Sequence, residues 1–125
     1  MRGGLVGVAA AAALGIFLTA ASLAAPAGQL APADIQATFF NGEPFTAATP
    51  SNVKFKMTFT ADGHMRREPT NGGGKAEGTW KLSKDGFCTT WAGGGAKSNC
   101  FTIVSAGEKK WSVLRGTTII ATWSK

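Results

Sequence analysis

The side chains able to do chemistry in this chain are few and widely spaced. Lys75 follows the run Gly72-Gly73-Gly74, and Lys97 follows Gly93-Gly94-Gly95 by one residue. Glycine-rich loops can cradle a phosphate on their backbone amides, but neither run has the spacing of a phosphate-binding loop and neither opens a helix. They read as plain flexible hairpin loops or, alternatively, as loops that close over an anionic ligand with their lysines, with Asn71, Asn99 and Trp91 beside them. Those five residues are the candidate ligand-binding set. His64 is the single histidine. It follows a turn glycine and alternates with Met65, as a surface strand residue would, and no serine or cysteine pairs with it in a catalytic motif. Asp62, Asp85 and Glu108 sit in or beside turns, where acidic residues help to form the turn, so no carboxylate pair for acid–base work is indicated. Neither a metal-ligand cluster nor a cofactor site stands out, and the chain reads as a non-enzyme.

The elements that must position these residues centre on 78–104, which holds both cysteines and two of the four tryptophans. On each side of the second glycine run, apolar and polar residues alternate at period two, the mark of two antiparallel strands joined by a flexible loop. A Cys88–Cys100 disulfide would staple them. Direct pairing of the two cysteines sets Phe87 opposite Phe101 and puts Phe87, Trp91, Phe101 and Ile103 on one face, with the disulfide on the other. In the chain-entropy model a loop this short is worth about 3 kcal/mol, a large share of the net stability of a small domain.

Residues 1–24 have the three parts of a secretory signal peptide: Arg2, an apolar stretch over 5–18, and small residues ending in Ser22-Leu23-Ala24. Cleavage is expected after Ala24, with Ala27 the alternative. The apolar run is short for a membrane span, so no integral membrane protein is expected after cleavage. Export to the periplasm or the medium agrees with a structural disulfide. It makes nucleic acid an improbable partner for a chain of net charge +6, and leaves a small or anionic ligand or an envelope protein.

Residues 25–31 form a Pro/Ala linker, and 32–125 a single domain. A short helix is expected over 32–41, with Pro32 at the first helical position, Asp34 in the first turn, Ile35 and Phe39 four apart, and Gly42 as the stop; its apolar side would cap whatever follows. Strands are expected over 44–48, 53–60, 64–68, 76–82, 87–91, 99–105, 110–114 and 117–123. Eight short strands with near-regular turns predict an all-β fold, a small antiparallel meander or barrel with one N-terminal helix. In an up-and-down chain the turns at Asp62, Asp85 and Gly107 share one end. The loops at Asn52, Gly73, Gly94 and Gly116 share the other, which makes that glycine-loop rim the expected binding site.

The order of a helix ending in Phe39-Phe40-Asn41-Gly42, an Asp62-Gly63 turn, Gly78-Thr79-Trp80, Cys88-x-x-Trp91 and Cys100-Phe101 resembles small secreted bacterial proteins of uncharacterised function, several regarded as lipocalin-like β-barrels. The resemblance implies fold and export, and transfers no catalytic residue. The expected function is that of an exported, non-enzymatic binding module engaging a small or anionic ligand at the rim; the alternative is a periplasmic inhibitor or envelope-protein interaction partner. A domain of this size needs its large aromatics to build a core, so a filled interior is expected. An empty, lined cavity would favour the ligand, and a filled core with an apolar or charged rim the protein partner.

Overall fold

The computed structural model describes residues 28–70 and 74–125. The expected leader, most of the linker and Asn71 lie outside the described residues. Helix α1 spans Pro32–Phe39, with Pro32 at its start and Asp34 in the first turn. It ends two residues earlier than the sequence pattern implies. Phe40 closes it with an N–H to the Gln36 carbonyl, and Asn41 turns its side chain back onto the Ala37 carbonyl, 3.1 Å away.

Eight strands follow: β1 Phe45–Ala48, β2 Lys54–Phe59, β3 His64–Pro69, β4 Ala76–Leu82, β5 Phe87–Trp91, β6 Ser98–Ser105, β7 Lys110–Arg115 and β8 Thr118–Ser124. Each pairs antiparallel with the next, and β1 pairs with β8 through Ala47↔Trp123, so the sheet is a closed barrel. Closure leaves the long strands no free edge to template aggregation. The central hairpin has the expected register, with Phe87↔Phe101 and Cys88↔Cys100 directly paired and the disulfide formed. Past Phe101, β6 outruns the start of β5. There residues 28–30 take over the pairing: the Leu30 N–H reaches the Ile103 carbonyl at 2.9 Å, and the Ser105 N–H reaches the Gly28 carbonyl at 2.8 Å.

α1 stops one end of the barrel. Phe39, fully buried, packs edge-on against Phe45, Trp111 and Trp123, with ring centroids 5.1, 4.9 and 4.9 Å away. Phe40 stacks on Phe59 at 4.5 Å and meets Trp80 at 4.4 Å. The Trp80 indole N–H is satisfied by the Thr60 carbonyl, 2.8 Å away, as an indole donor turned toward a core requires. At the chain's end, Lys125 holds the helix down through the Thr38 carbonyl at 2.6 Å and the Glu43 carboxylate at 3.4 Å. Among the described residues no helix is long and apolar enough to cross a membrane.

The disulfide joins neighbouring strands over a sequence separation of 12. Its reduction is expected to lower stability by about 3 kcal/mol while the barrel still forms. Urea midpoints with and without reductant measure this, and coincident curves would show that the bridge adds nothing.

Candidate functional site

Because the barrel is a simple meander, its connections segregate. The tight turns at 60–63, 83–86 and 106–109 lie at the end that α1 closes; the connections at 49–53, 92–97 and 116–117, with Thr70 and residues 74–75, surround the other. That second end opens into a cavity of about 170 Å³. Its floor is Phe59, Phe87 and Trp123, all buried, whose far sides carry the helix aromatics. Its mouth is formed by Phe55, Trp91, Phe101 and Ile120, all half-buried. The interior is therefore filled in its helix half and hollow in its loop half, a correction to the expectation of a filled core. Small residues are the cause: Ala47 and Ala121 face inward where bulkier side chains would meet across the barrel.

One cation enters this apolar space. Along β3, Met65 points into the core, and Arg67, two residues on, shares its face. The guanidinium carbon lies 4.8 Å from the centroid of the Phe55 ring and 4.7 Å from that of Trp91. Neighbouring β4 makes the second contact possible: Gly78, paired with both Met65 and Trp91, and Ala76, paired with Arg67, put no bulk between Arg67 and the indole. Such cation–π contacts are worth about 0.5–2 kcal/mol each, depending on desolvation. Arg67 is the one charged residue of the cavity lining, which has Thr49 and Thr89 as its other polar members. The ion pairs among the described residues are Lys75–Glu68 at 3.3 Å and Lys125–Glu43 at 3.4 Å; none neutralises Arg67.

Of the residues singled out from the sequence, Trp91 stands on the cavity mouth. Lys75, its side chain 73% exposed, is engaged by Glu68, and Lys97 projects from the exposed 92–97 loop. Asn99 accepts a hydrogen bond from Arg115 Nη1 at 3.4 Å. None of these three lines the cavity. Arg67 was legible from parity, since a strand that buries Met65 turns residue 67 the same way.

Lys54, Lys75, Lys97 and Arg115 join Arg67 around the open end, against Glu68 and Glu77, while at the closed end Asp34, Glu43, Asp62, Asp85 and Glu108 are offset by Lys84, Lys109, Lys110 and Lys125. The mouth is thus held at positive potential. Val53 and Ile119, exposed by 44% and 50%, also stand at the open end. At the opposite end, the Thr60 hydroxyl, aided by the His64 N–H, bonds the Asp62 carboxylate and holds it below the usual carboxylate range. Those bonds close the β2–β3 turn and point to a local structural role. Among the described residues no group of three or more His, Cys, Asp or Glu side chains is placed to hold a metal ion.

Compared with protein-family models, with curated proteins and with solved structures, the chain finds no match, so any function must be argued from the geometry of the open end itself.

Proposed function

We propose that this chain is an exported, non-enzymatic binding module of lipocalin-like type that takes a small ligand through the open end of its barrel. The observation that carries the reading is the apolar cavity of about 170 Å³, ringed by half-buried aromatics and opening at the end where the 92–97 loop lies. Concave, mostly apolar sites with a few polar groups are where small molecules bind, and this volume is close to the roughly 150 Å³ that accepts a benzene-sized guest. Export is supported by the leader pattern and by a disulfide that persists only in an oxidising compartment. The exposed Val53 and Ile119 favour a second reading, in which the same rim docks on an envelope protein or acts as an inhibitor.

The test uses toluene as probe and Ala47→Phe as a variant whose cavity is filled from the wall. Toluene is expected to shift the amide and side-chain resonances of Phe55, Trp91 and Phe101 in the parent protein, and to lose that effect in the variant. Equal, diffuse shifts in both proteins, or none in either, would remove the cavity as a ligand site and leave the protein-partner reading.

A further inference from the structure

We infer that the ligand of this cavity is a compact monoanion, a carboxylate on a ring or short apolar chain, and that Arg67 reads its charge. The inference rests on the cavity being a ligand site, and deepens it. The guanidinium carbon lies over both the Phe55 and the Trp91 ring, 4.8 and 4.7 Å from their centroids. Cation–π contacts of that kind hold the group at the cavity wall without using up its N–H donors, which can grip a carboxylate with two parallel bonds. No acid among the cavity-lining residues competes for them, and no carboxylate among the described residues forms an ion pair with Arg67. Arg67 is half-buried at the mouth with no acid partner among the described residues, and a guest carboxylate entering the apolar cavity would be paired there rather than left bare.

Charge and volume narrow the class further. One guanidinium in the lining balances one negative charge. A cationic guest would meet both Arg67 and the lysines of the rim, so amines are disfavoured. The floor at Phe59 and Phe87 backs directly onto the helix aromatics, which limits the apolar body to about one ring or a short chain. Thr89 offers a hydroxyl within the wall for a second polar contact.

Benzoate and its neutral isostere benzamide separate these ideas, with toluene as the reference for the cavity alone. In the parent protein benzoate is expected to bind about ten- to a hundredfold more tightly than benzamide, the range for a charge-assisted bond in a partly desolvated site. Arg67→Met keeps an unbranched apolar stem against the two rings and removes the charge, so it should bring benzoate down to the benzamide level, with toluene measured on the same variant to read any change in the cavity itself. Arg67→Lys should recover only part of the preference. Changing Lys75 and Lys97 together to Ala should leave it intact.

Equal binding of benzoate and benzamide by the parent protein would overturn the inference, with the cavity reading standing wherever toluene still binds. Loss of the preference in the double-lysine variant, or its survival in Arg67→Met, would overturn the assignment to Arg67. Weaker toluene binding in Arg67→Met would show a packing role instead. If none of the three probes binds, this inference and the proposed function fail together.

Discussion

Gly86→Ala is expected to lower stability by about 3 kcal/mol or more and to prevent clean closure of the β5–β6 hairpin. Gly86 is buried at the end of the β4–β5 turn, where its N–H donates to Ser83 Oγ at 3.1 Å and its carbonyl accepts from the Ser83 N–H at 2.9 Å. A Cβ built there collides with the Phe101 carbonyl oxygen, and meets the carbonyl carbon of Phe101 at 3.0 Å and the Cα of Thr102 at 3.1 Å. All three atoms are backbone, so no side-chain rotation relieves the contact. Either the turn opens or β6 moves away, and either movement pulls apart the Phe87↔Phe101 and Cys88↔Cys100 pairs next to it. Gly74→Ala is the control, since a Cβ there has nothing within 4 Å and its backbone is not left-handed. Denaturant midpoints for the two variants, with disulfide formation followed by intact mass, check the prediction. Equal midpoints would mean that the strands have slack at Gly86, which the close approach of the two backbones denies.

The same hairpin shows why the fold was legible in the sequence while the site was only half so. Alternation at period two says which face each residue takes, and pairing the cysteines sets the register, so the inward positions of Phe87, Trp91, Phe101 and Ile103 follow without coordinates. Whether inward side chains fill the space they enclose is a question of summed volume around a closed ring, and no single strand carries that answer. Ala47 is an ordinary strand residue by pattern; it becomes part of a cavity only because β8 brings Ala121 and Trp123 beside it. Lys75 and Lys97 are marked out in the sequence by the glycine runs beside them, yet a lysine on an exposed loop keeps its own water. Arg67 differs because its strand parity turns it inward and because Gly78, on the next strand, has no side chain to keep the Trp91 ring away. That second cause depends on a pairing across three strands, which a pass along the chain does not expose.

Phe40→Ala is expected to cost about 4 kcal/mol, a large share of the roughly 5–15 kcal/mol that holds a domain folded. The ring is 1% exposed and lies among three others: stacked on Phe59 at 4.5 Å, tilted on Trp80 at 4.4 Å and edge-on to Phe87 at 5.3 Å. Its removal forfeits the transfer free energy of a buried aromatic and leaves a void that barrel walls, tied on both sides by strand pairing, cannot collapse to fill. The loss also reaches the site. Phe59 and Phe87 are at once the neighbours of Phe40 and the floor of the ligand cavity, so without Phe40 they can retreat toward the helix and deepen the cavity from below. Phe40→Leu, which retains much of the buried volume, should cost less than half as much and leave the floor in place. Chemical denaturation of both variants, with binding of toluene and of the longer hexylbenzene, reads the two effects separately. The alanine variant should be the less stable and the more tolerant of the longer probe. A loss below about 1 kcal/mol would show that the helix rests on the barrel without plugging it. An unchanged length limit in a variant that is destabilised but folded would show that the floor is held by the strands alone.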